Sequence, residues 1–65
     1  MNIKKSIAVA LAQAGHNQGW LAESIGKQSS QITTWKKNNN IKANDLEIVA
    51  GAFGLSVSEF VALGE

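Results

Sequence analysis

Apolar positions recur along this chain at helical spacing, and no stretch alternates in the manner of a β-strand. Ile3, Ile7, Ala10 and Ala14 fall at i, i+4, i+7 and i+11 with Leu11 beside them. They predict a first helix over about Ile3–Ala14, rich in alanine and closed by Gly15. Leu21, Ala22 and Ile25 predict a second helix, about Gln18–Ile25, with Asn17 as N-cap and Gly26 permitting a tight reversal. Gly19 in its first turn lowers helix propensity by about 1 kcal/mol relative to Ala. Ile32 and Trp35 give a third, otherwise polar helix its inner face. That helix starts at Gln28 or Ser29 and runs to about Lys37, and Asn38-Asn39-Asn40 reads as a loop. Leu46, Val49, Ala50 and Phe53 predict a fourth helix, about Ala43–Phe53, stopped by Gly54, with Asn44 and Asp45 complementing the dipole in its first turn. Ser56 and Glu59 form a capping-box pattern that opens a fifth helix carrying Val57, Phe60, Val61 and Leu63. The expectation is an all-α, compact five-helix fold, a single domain over residues 1–65.

Composition narrows this picture. A chain of 65 residues can bury only part of its surface, and with no cysteine it has neither disulfide nor thiolate metal site to help. An apolar fraction of 45% suits a folded chain, and the apolar runs are too short for a membrane span. Met1–Gly15 has two lysines before a short apolar run, as a signal peptide would. Gln13, His16 and Asn17 follow at once, and cleavage there would remove roughly a quarter of a minimal domain, so the segment reads as a first helix and the chain as cytoplasmic. His16 is the only histidine and has no partner at ligand spacing, so no metal or cofactor is expected. No paired carboxylates, nucleophile–histidine set or phosphate-binding glycine loop is present, which argues against an enzyme or a small-molecule ligand.

Net charge is only +1, but its distribution is uneven. Lys27, Lys36, Lys37 and Lys42 lie within residues 26–44, where no acid occurs, while Glu23, Asp45, Glu47, Glu59 and Glu65 all lie outside. That asymmetry suits a phosphate-facing edge. Lys4 and Lys5 oppose the dipole at the start of the first helix, a mild misplacement that usually has no meaning but would fit a nearby phosphate. Gln28, Ser29, Ser30, Thr33 and Thr34 stand on the outer side of the third helix. Their hydroxyls and amides suit base edges better than a merely supporting role.

Gln18, Ala22, Gly26, Ile32 and Trp35 occur without a gap in a Gln, Ala, Gly, Ile/Val, Trp/Leu pattern. With Leu21, Ile25 and the Phe53-Gly54-Leu55-Ser56 ending, the chain resembles the Cro/C1-type, lambda-repressor-like (XRE) helix-turn-helix family over essentially its whole length. The resemblance implies a helix-turn-helix at the second and third helices and a small Cro-like regulator of phage or prophage type. Such a protein would bind double-stranded DNA as a repressor, with the third helix in the major groove. It further implies base reading by Gln28, Ser29, Ser30, Thr33 and Thr34. Phosphate contacts would come from Asn17, Gln18, Lys27, Lys36, Lys37, Asn38, Asn39, Asn40 and Lys42. Lys27 replaces the usual apolar residue after the turn glycine, Lys36-Lys37-Asn38 stands where Glu-Asn-Gly is common, and arginine is absent altogether. A lone small reading head binds weakly, so a homodimer is expected, with Trp20, Phe60, Val61 and Leu63 as the candidate dimer or partner surface. Trp20, at a usually exposed position, reads equally as packing over the edge of the first or fifth helix. The competing reading is a helical protein-interaction module, such as an antitoxin-like or adaptor protein.

Overall fold

The computed structural model describes every residue, Met1–Glu65, and contains five helices and no strand. They are α1 (Ile3–Ala14), α2 (Gln18–Ile25), α3 (Ser29–Asn38), α4 (Ala43–Ala52) and α5 (Val57–Ala62). No helix is long and apolar enough to cross a membrane.

The caps explain the boundaries. Asn2 and Asn17 each accept a backbone N–H three residues on, from Lys5 and Trp20, and so start α1 and α2. Gly15 and Gly26 end the same helices in the left-handed region at φ 72° and 69°, a conformation that is unstrained for glycine. Ser56 and Glu59 exchange hydrogen bonds reciprocally, and this capping box starts α5. α4 ends one residue before the predicted position, with Phe53 as its C-cap.

The principal helix contacts close a circuit: α1 packs on α3, α3 on α2, α2 on α4, α4 on α5, and α5 back on α1. Inside it, Ile3 and Ile7 of α1, Leu21 of α2, Ile32 of α3, Val49 of α4 and Phe60 of α5 are fully withdrawn from water. Ala10, Ala22, Trp35, Ile41 and Ala50 complete the core. Three expected inward positions differ. Ala14 is exposed, because the last turn of α1 overhangs the core. Leu46 and Phe53 are half-buried at its edge.

α1 and α5 are joined by small groups. Ser6 is fully buried, and its hydroxyl donates to the Val61 carbonyl at 3.5 Å. Gly64 is buried as well, and a Cβ there would lie 2.5 Å from both the Asn2 carbonyl oxygen and Ser6 Oγ. The backbones meet too closely for any side chain.

Gly64→Ala is therefore expected to destabilise the fold by about 1–3 kcal/mol, read as a lower urea midpoint at unchanged slope. The α5 cap gives a second expectation. The Ser56 backbone N–H, and after it the Ser56 hydroxyl, hold the Glu59 carboxyl below its ordinary range, with desolvation opposing weakly. A lowered folded-state pKa means that the stabilisation is complete above the unfolded value. It is lost as pH falls below about 4.3 and on through the folded value. Glu59→Gln should flatten the acid limb of a stability–pH curve relative to the unmodified chain.

Candidate nucleic-acid interface

α2 and α3 are joined by the Gly26 reversal, in which the Lys27 N–H donates back to the Ala22 carbonyl at 3.0 Å. Ala22 is buried at this junction, and Ile32 and Trp35 hold α3 to the core. The opposite side of α3 carries Ser29, Ser30, Gln31, Thr33, Thr34, Lys37 and Asn38, all exposed, with no apolar side chain among them.

Gln18, the first residue of α2, locks α3 from outside. Its Nε2 is shared among the Ser29 carbonyl, Ser29 Oγ and Thr33 Oγ1 at 2.9–3.0 Å. Its Oε1 accepts from Lys36 Nζ. One side chain thereby touches α3 at its start, middle and last turn. The threonines are also turned inward: Thr33 Oγ1 donates to the Ser29 carbonyl at 3.2 Å and Thr34 Oγ1 to the Ser30 carbonyl at 3.0 Å. Thr33 thus both donates and accepts within the protein. Thr34 retains acceptor capacity and a methyl group. Ser30 Oγ makes only a long 3.5 Å contact with Gln28 Oε1, and Gln31 makes no side-chain hydrogen bond at all. Gln31, which is not among the expected readers, is exposed on the same face. Its signal was its spacing, three residues beyond Gln28 on the outer face.

Two open polar grooves flank α3. Lys4, Thr33, Lys36 and Lys37 line the one on the α1 side. The one on the α4 side is lined by Lys27, Gln31, Thr34, Asn38, Asn40, Lys42, Asn44 and Asp45, over Trp35. Expected phosphate contacts thus fall on both flanks, but their states differ. Lys27 is not a free cation: its ammonium sits 3.5 Å from Asp45, a carboxylate nearly buried beside it. Asn39 is spoken for as well. It caps α3 at φ 50°, its Oδ1 accepts the Ile3 N–H at 2.8 Å, and its Nδ2 donates to the Met1 carbonyl at 2.9 Å. Asn17 accepts the Trp20 N–H at the start of α2. Lys37, Asn38, Asn40 and Lys42 are exposed.

Of the expected partner surface, one residue is internal and three are half-buried. Phe60 is completely buried, so it belongs to the core and cannot face a second subunit. Val61 and Leu63 are half-buried beside it. Trp20 is half-buried, stacked on His16 at 4.0 Å and tilted against Phe53 at 5.7 Å. It thus packs between His16, just beyond the end of α1, and Phe53, the C-cap of α4. The large apolar side chains left most exposed are Met1 and Ile48.

No family model, curated protein or solved structure matches this chain.

Gln18→Ala should remove the external lock on α3. A loss of about 1 kcal/mol is expected from these exposed hydrogen bonds, together with faster amide exchange at Ile32–Lys36 than in the rest of the core.

Proposed function

We propose that the chain is a sequence-specific DNA-binding regulator of helix-turn-helix type, acting as a repressor by occupying its site. One observation carries this reading: the outer face of α3 is wholly polar, braced by Gln18, and bounded on both sides by grooves containing lysines. A helix presented in this way matches the width of a major groove, with cations placed to meet the phosphates on either side. The exposed amides of Gln28 and Gln31 suit adenine, and the exposed Thr34, which carries a methyl group, suits the methyl of thymine. Without arginine to read guanine, recognition leans towards A·T pairs and DNA shape. Ser29 and Thr33, whose hydroxyls serve Gln18, contribute position more than readout. A single reading head with few cations gains affinity by pairing on a two-fold site whose half-sites lie about 10 bp apart.

Selection of binding sites from a random DNA pool tests the reading. A palindromic, A·T-leaning consensus is expected. Gln28→Ala or Gln31→Ala should relax preference at one position each, by about 1–3 kcal/mol of discrimination. If no sequence competes better than random DNA at moderate salt, the proposal fails. A stoichiometric protein partner indifferent to changes in α3 would then favour the interaction module.

A further inference from the structure

We infer that the groove formed by Lys4, Thr33, Lys36 and Lys37 is the protein's principal phosphate-binding surface, with Lys4 of α1 as a backbone-contacting residue. The inference rests on the DNA-binding reading above and specifies where the backbone is held. Three of the four lining side chains are ammonium groups, and no carboxylate shares the groove. The groove on the other flank contains Asp45, which engages Lys27 in the protein's sole ion pair. The two flanks of α3 therefore attract a polyanion unequally, although the sequence places lysines on both.

The placement of Lys4 has no local cause. Lys36 and Lys37 lie in the last turn of α3, where cations complement the helix dipole. Lys4 lies in the first turn of α1, where the dipole opposes it, and the groove adds two further like charges. An incoming phosphate relieves both. Nor is the juxtaposition loose. Asn39, at the end of α3, binds the Ile3 N–H and the Met1 carbonyl, so the start of α1 is pinned against the last turn of α3. Lys5, the adjacent residue of identical charge, does not line the groove, and its Nζ lies 3.4 Å from the Glu65 carbonyl oxygen.

That pair supplies the experiment. Binding to random-sequence duplex DNA is measured against salt concentration for the unmodified chain, Lys4→Gln, Lys5→Gln and Lys37→Gln. All three lysines are exposed, and thermal unfolding verifies that each variant remains folded. Each neutralised phosphate contact contributes about 0.9 to the slope of log K against log salt. Lys4→Gln and Lys37→Gln should each flatten the slope by about that amount, and Lys5→Gln by less than half as much. Equal effects of Lys4→Gln and Lys5→Gln would mean that net charge alone matters, and would overturn the inference. An unchanged slope in Lys4→Gln, with salt-dependent binding by the unmodified chain, overturns the groove while leaving the DNA-binding reading intact. Absence of any duplex binding by the unmodified chain overturns both.

Discussion

Ile7, Leu21, Ile32, Val49 and Phe60 come from five different helices, and each is fully withdrawn from water. The rest of the structure depends on their meeting. The helices span 6–12 residues, lengths at which an isolated helix is marginal in water even with favourable composition. Caps locate their ends but do not hold them folded. What holds them is burial, at roughly 25 cal/mol per Å² of apolar surface, and each helix obtains that burial chiefly against its two neighbours in the circuit. Detaching one helix opens the core for all five. The small groups at the α1–α5 contact, Ser6 and Gly64, matter for the same reason, since they close the circuit.

This arrangement frees α3 on one side. Only Ile32 and Trp35 anchor it inward, so the remaining positions can be polar. Such a helix is intrinsically weak, with adjacent threonines and serines that compete for backbone hydrogen bonds. Gln18 offsets that weakness by bonding across to Ser29, Thr33 and Lys36. The threonine hydroxyls are absorbed into backbone contacts instead of competing outward. A helix whose side chains are already held in place by Gln18 and by backbone carbonyls loses little conformational freedom on meeting a partner.

Charge follows the tertiary contacts more closely than the sequence. Of the lysines in residues 26–44, Lys36 is drawn to Gln18 and Lys27 to Asp45, while Lys37 and Lys42 stay exposed. Lys4 joins Lys36 and Lys37 from a helix far away in sequence. The edge that a linear charge count treats as uniform is thus divided into a purely cationic flank and a compensated one.

Much of the fold was legible in the residues themselves. The bounds of α1 and α2, the Gly15 and Gly26 terminations and the capping box at Ser56 all rest on interactions within four or five residues, which a linear pattern records. So does the inner face of α3, since Ile32 and Trp35 are one turn apart. The exposure of Ala14, the burial of Ser6 and Asp45, the engagement of Lys27 and the withdrawal of Phe60 were decided elsewhere. Each depends on which helix lies opposite, and periodicity fixes the face of a helix without fixing its neighbour. Asn39 shows the division most clearly. Its sequence neighbourhood marks a loop, and its left-handed backbone suits asparagine locally. Its side chain ties α3 to residues 36 and 38 positions earlier, and that tie arises only once the core has brought the two chain segments together.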